Sequence, residues 1–190
     1  MPFPDSFATS RLEAERLTAE HLAEVRRMDS DPDFMAMLGG VRDAAGTAAY
    51  LARNLRHWDD YGFGLWMLRD ALSQRFAGRA VLRHLLLDGT DEVEVGYGFY
   101  PEFWGRGLAT EIAAACLQFG RQELRLGSMV ALTRTDNVRS QRVMTRVGLV
   151  FERELTFERL PHVLFRSRPP SSAAPAAPWI GLPSSNPTGA

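Results

Sequence analysis

The chain predicts one α/β domain around a mixed, mostly antiparallel twisted sheet of about six or seven strands flanked by helices, and three observations carry that expectation. First, apolar spacing switches repeatedly between period 2 and period 3.6, in the order β α α β β β α β α β β. Second, the strand-like runs RAVLRHLLL (79–87) and EVEVGYGFY (92–100) are separated by the turn sequence Asp88-Gly89-Thr90-Asp91, which predicts an antiparallel meander. Third, a strand, a helix and another strand follow one another between residues 92 and 135, which requires a crossover and makes the sheet mixed.

RLEAERL (11–17) reads as an opening strand, and Thr18 is an N-cap residue ahead of Leu22, Val25 and Met28 at helical spacing. Residues 31 to 38 add a turn or two before Gly39 and Gly40 break the helix. A second helix from Asp43 to Tyr61 carries Ala44, Ala48, Leu51, Leu55 and Trp58 on one side. FGLWML (63–68) begins the meander. Beyond it, Leu108, Ile112, Ala115, Cys116 and Phe119 line one face of a helix reaching about Leu124, and SMVALTRT (128–135) is a strand. Asn137 caps a short helix that Gly148 stops, and LVFERELTF with HVLFRSR forms a closing hairpin.

With 190 residues, 45% of them hydrophobic and 24% charged, the chain is large enough to bury a core without metal or disulfide staples. The net charge of -1 gives no basic footprint for nucleic acid, and all 22 basic residues are arginine. Cys116 has no partner for a disulfide and sits on an apolar helix face, which predicts a buried structural thiol. No apolar run reaches the length of a membrane span and no leader-like segment opens the chain, so a cytoplasmic protein is expected. His21, His57, His84 and His162 lack metal-ligand spacing, and no metal is expected. Residues 1–168 read as the domain, and 169–190, rich in proline, serine and alanine, as a disordered tail. Within that tail Trp179, Ile180 and Leu182 are apolar enough to dock on the domain, or on a second copy in a homodimer.

The stretch FYPEFWGRGLATE (99–111) places two glycines around an arginine between a strand and a helix. Glycine lets backbone approach a ligand closely, and a first helical turn has amide hydrogens without internal partners at the positive end of its dipole. Gly105, Arg106, Gly107, Leu108, Ala109 and Thr110 therefore suit a phosphate or pyrophosphate, with the Arg106 and Thr110 side chains as extra donors. Local pattern alone leaves a plain tight turn equally open. A Walker loop is excluded, because no lysine follows the second glycine, and Thr110 stands where a dinucleotide fingerprint has its third glycine.

FWGRGLATE resembles the Q/R-x-x-G-x-G/A coenzyme loop of the GNAT superfamily of N-acetyltransferases. Trp104 at its start is similar to the W-G-x-G-x-A-T-E variant of the Rim-type, ribosomal-protein N-terminal acetyltransferase branch. TRTDNVRSQRVMTRVGL (133–149) resembles the family's N-x-x-S segment along the pantetheine arm, and residues 9–168 follow the family's order of elements. The resemblance implies a splayed central strand pair and acetyl-coenzyme A as co-substrate. It places the coenzyme against Tyr97, Phe99, Trp104, Gly105, Arg106, Gly107, Leu108, Ala109, Thr110, Asn137 and Ser140. It also implies an amine acceptor, either a protein N-terminus or a small molecule.

On the fourth of these strands alternation puts Glu92, Glu94, Gly96, Gly98 and Tyr100 on one face, acidic and then bare, and a bare glycine face suits close approach by an extended ligand. Glu94, or Glu92 one pleat back, is the candidate base for the acceptor ammonium. A main-chain amide near Tyr97 to Phe99 is the candidate oxyanion donor. Many family members place a tyrosine four residues before the helix-ending glycine, where this chain has Met144, so Ser140 is the candidate acid, although a serine in that position also supports a cap. An acyl-coenzyme A binding module without turnover is the alternative function, and an unrelated nucleotide-binding α/β protein a more distant one.

Overall fold

The computed structural model describes residues 5–168 and 180–181. Nearly all of the expected tail at 169–190 lies outside the described residues. The elements follow the expected order with a short strand added at the start and a two-residue one near the end. Strand β1 (Ser6–Ala8) and β2 (Leu12–Arg16) form a hairpin, followed by α1 (Leu22–Ser30), α2 (Pro32–Met35) and α3 (Ala44–Tyr61). The meander is β3 (Leu65–Asp70), β4 (Phe76–Leu87) and β5 (Thr90–Phe99). Then come α4 (Leu108–Gln122), β6 (Val130–Arg134), α5 (Val138–Arg146), β7 (Leu149–Phe157), β8 (Leu160–Ser167) and the two-residue β9 (Ile180–Gly181).

One sheet holds them in the order β7-β8-β6-β5-β4-β3-β2-β1-β9. Eight strands belong to residues 5–168, slightly more than expected, because β1 shows only one buried residue, Phe7, and leaves no periodic signature. Every neighbouring pair is antiparallel except β5 and β6, which are parallel and share a single register pair, Glu94 with Val130. Past Glu94 the edge of β5 that faces β6 therefore has no strand partner, and this is the splay that family resemblance implies. β4 and β5 pair without a register shift from Gly78 opposite Phe99 to Leu87 opposite Thr90, and they approach closely: a Cβ at Gly78 would sit 2.0 Å from the Gly98 carbonyl oxygen.

Thr18, expected to cap the first helix, instead precedes a short 3-10 turn at Ala19–His21, and α1 starts after His21 without a side-chain cap. Asp31 caps α2 by accepting the N–H groups of Asp33 and Phe34, and Asp43 caps α3 by accepting that of Gly46 at 2.7 Å. Gly62, with φ of 72°, ends α3, and Gly148, with φ of 83°, follows α5. The core runs the length of the sheet and includes Trp58, Trp66, Leu12, Leu17, Met28 and Ile112, each almost fully buried. Burial of each such side chain contributes about 1.5–3 kcal/mol. Cys116 lies in that core, and burial pushes its thiol up to about 12, so it is protonated at neutral pH. No helix among the described residues is long and apolar enough to cross a membrane.

Candidate active site

The loop after β5 and the start of α4 form the corner that the sequence singles out. Gly105 and Gly107 both have left-handed backbone, φ 73° and 77°, a conformation that costs glycine nothing. Gly107 is the N-cap of α4 and has no side chain with which to cap it. As a result, none of the N–H groups from Gly105 through Thr110 donates to an acceptor among the described residues. Six consecutive peptide donors at the positive end of a helix thus remain available.

That loop is held from behind. Arg11 donates from Nη1 to the Arg106 carbonyl at 2.6 Å and from Nε to Glu111 Oε2 at 2.7 Å. Glu111 Oε1 accepts from Thr9, Ser10 and the Arg11 amide. Burial opposes the charge on Glu111, yet these donors hold its carboxyl below the usual range. Because a peptide's C=O and N–H point in opposite directions, fixing the Arg106 carbonyl on Arg11 turns the Gly107 N–H away from it. The Arg106 side chain corrects an expectation: its Nη2 lies 3.0 Å from Asp70 Oδ2, so the guanidinium is committed to a carboxylate and does not line the cleft. Asp70 is held charged by the amide and hydroxyl of Ser73 and by Arg106.

The corner opens into a cleft of about 990 Å³ between the end of β5, α2, the start of α4 and α5. Tyr97, Phe99, Trp104, Gly105, Gly107, Leu108, Ala109, Thr110, Asn137 and Ser140 all line it, so every candidate coenzyme residue except Arg106 is brought together. Trp104 donates from Nε1 to the Phe99 carbonyl at 2.7 Å, which locks the indole at the rim. Asn137 caps α5 by accepting the Ser140 amide at 3.2 Å and donates from Nδ2 to Thr133. Sequence reasoning missed Arg139, Arg142 and Arg146, which also line the cleft and form no ion pair among the described residues. Arg139 stacks over Trp104 at 5.4 Å. The signal was present, since these positions share a helix face at i, i+3 and i+7.

At the inner end of the cleft the Tyr97 hydroxyl lies 3.1 Å from Ser140 Oγ. Burial pushes the phenol up to about 12, with the Ser140 hydrogen bond pulling weakly the other way, so Tyr97 stays protonated at neutral pH. Met144 is buried in the core, as its apolar side chain requires.

The opposite face of β5 carries the acidic residues, as alternation predicts. Gly98 is partly covered: a Cβ there would lie 2.8 Å from Leu38 Cδ1 and 3.2 Å from Phe34, so α2 and its exit pack against that position. The glycine is needed for packing against that segment, while Gly98 still lines the large cleft and Gly96 the smaller cavity beside Glu94. Glu92 is also removed from consideration as a base, since both its oxygens bind Arg166, at 2.8 and 2.9 Å. Glu94 is 8% exposed and accepts from Arg83 Nε through Oε2 at 2.6 Å, which leaves Oε1 without a donor among the described residues. The Glu94 charge holds Arg83 firmly protonated. A second, smaller cavity of about 100 Å³ begins at Glu94 and is bounded by Tyr97 and Leu38, the two residues it shares with the large cleft.

Residues 11–150 match the acetyltransferase (GNAT) domain family. YkkB, an uncharacterised protein of Bacillus subtilis, is 32% identical over 126 residues, covering 66% of this chain and 73% of that one. A GNAT-family acetyltransferase structure from Bordetella pertussis superimposes with a TM-score of 0.76 at 22% identity, covering 85% and 98% of the two chains. RimL, a ribosomal L7/L12 alpha-N-protein acetyltransferase solved with coenzyme A, shares the fold at a TM-score of 0.71 and 14% identity, over 86% and 97%. The splayed strand pair, the uncapped glycine corner and the matched residues agree, and the chain belongs to the GNAT family of acetyltransferases, enzymes that move an acetyl group from acetyl-coenzyme A to an amine.

Proposed function

We propose that the chain acetylates a primary amine, on a protein N-terminus or a small molecule, by direct attack within a ternary complex. The observation that carries the coenzyme site is the set of unpaired donors around one cleft, the amides of Gly105, Gly107, Leu108, Ala109 and Thr110 and three arginines. Each donor left without a partner would be matched by a phosphate oxygen, and the arginines supply charge-assisted contacts. The donor brings the acetyl group as a thioester; the chain's residues handle protons and charge. Glu94 Oε1 takes a proton from the acceptor ammonium, directly or through water, so that the nitrogen lone pair forms the new C–N bond. A free amide on the open edge of β5 between Tyr97 and Phe99 stabilises the carbonyl oxygen as it gains charge. When the C–S bond breaks, Ser140 donates a proton to the thiolate and recovers one from Tyr97, and the second proton of the attacking nitrogen, released as the amide forms, passes through solvent to restore the Tyr97 hydroxyl.

Calorimetry with acetyl-coenzyme A, paired with a free-thiol release assay, tests this reading. Wild type is expected to bind and to release thiol when an amine is added. Gly107→Trp forces a bulky side chain into left-handed backbone at the anion corner and should weaken binding by more than about tenfold, above about 1.4 kcal/mol. Wild-type affinity in that variant refutes the loop's role, and binding without transfer to any amine identifies a module that has no turnover.

A further inference from the structure

Resting on the transferase reading above, we infer that the acceptor is a small amine carrying a compact anion beside its nitrogen, and that Arg42 and Arg83 in the smaller cavity hold that anion. This cavity begins at the candidate base and is bounded by Tyr97, so an amine facing Glu94 would have its substituents there. Three arginines line it, Arg42, Arg79 and Arg83, against one carboxylate, Glu94. Behind the wall, buried Asp29 accepts from Arg42 and Arg79, both at 2.8 Å. Three cations thus face two anions. Glu158 is close enough to influence Arg83, but it is exposed and its charge is screened by water.

The unused donors converge in the same place. Arg83 spends only Nε on Glu94, and both of its terminal nitrogens donate to nothing among the described residues, although its side chain is only 27% exposed. Arg42 uses Nη1 on Asp29 and the Met35 sulfur and leaves Nη2 and Nε unpaired. Tyr50, 7% exposed, also lines the cavity; its hydroxyl has no partner among the described residues and lies near enough to Arg83 to influence it. Partly buried guanidinium edges without an acceptor lose hydration that an entering anion would replace, and their planar fork suits a carboxylate or phosphate. At about 100 Å³ the cavity admits a compact group. A neutral or polycationic amine would leave these donors unmatched.

The test uses the wild-type enzyme, acetyl-coenzyme A and thiol release. The L-α-amino acids and O-phosphoethanolamine are compared with the carboxamides of the same amino acids, their decarboxylated amines and spermidine. Transfer to members of the anionic set, at least tenfold faster than to their neutral counterparts, is the expected result, and the two anionic arms separate carboxylate from phosphate. Equal or faster transfer to carboxamides, decarboxylated amines or spermidine overturns the inference while leaving the transferase reading intact. No thiol release with any amine overturns both. Arg42→Gln should raise KM for the anionic acceptor about tenfold with coenzyme affinity unchanged, and Arg42→Lys should restore part of it. An unchanged KM in a folded Arg42→Gln protein overturns the assignment of Arg42.

Discussion

At the scale of single residues, the site divides into groups that donate to the coenzyme and groups that move protons, and the two should separate in kinetics. Tyr97→Phe and Ser140→Ala remove hydroxyls that face each other at 3.1 Å without touching the anion corner. Each is expected to lower kcat by about 10- to 100-fold while coenzyme affinity stays near wild type. Steady-state rates beside calorimetry check this, and an unchanged kcat in both variants would mean that the thiolate leaves without their help. Glycine and cap positions were readable because backbone geometry restricts which residues can occupy them. The ion pairs were not. Nothing in the order of letters says that Arg106 turns to Asp70, that Glu92 is held by Arg166, or that Arg83 and Arg42 meet in one cavity, because each contact joins segments far apart in the chain.

At the scale of elements, the strand and helix order was legible from periodicity, and the corner between β5 and α4 from its glycines. The hairpin β1–β2 was only half legible, and its task was not visible at all. Through Arg11 and Glu111 it grips the back of the glycine loop. Arg11→Met keeps the apolar stem and removes the donors that hold the Arg106 carbonyl. Because the guanidinium is 46% exposed, the expected cost is modest: coenzyme affinity should fall about three- to tenfold, with kcat at saturation unchanged. Calorimetry against saturating rates measures it. A fall in kcat alone would show that the hairpin acts on chemistry and not on the loop.

At the scale of the whole molecule, one histidine ties a helix to the sheet in a way that depends on pH. His57 of α3 accepts the His84 N–H of β4 at Nε2, 2.9 Å away, so its proton sits on Nδ1 and is donated to the Phe63 carbonyl at 2.8 Å. Protonating Nε2 would break the first bond. Burial accordingly pushes the His57 pKa below its ordinary value of 6.5, with the Phe63 bond opposing weakly. The unfolded chain therefore takes up a proton first as the medium acidifies. Stability from this residue is complete above about pH 6.5 and declines as pH falls from there toward the lower folded-state value. Denaturant melts between pH 8 and 5 should show that decline, and it should flatten in His57→Gln; equal slopes would remove His57 as its source.

The single meeting point of β5 and β6 has its own consequence. Along that seam the two leaves of the sheet are joined by one rung, and the empty protein lacks the continuous ladder that normally fastens neighbouring strands. A bound pantetheine chain would act as the missing slat, so that cells rich in the acetyl donor would hold a stiffer, longer-lived protein than cells starved of it.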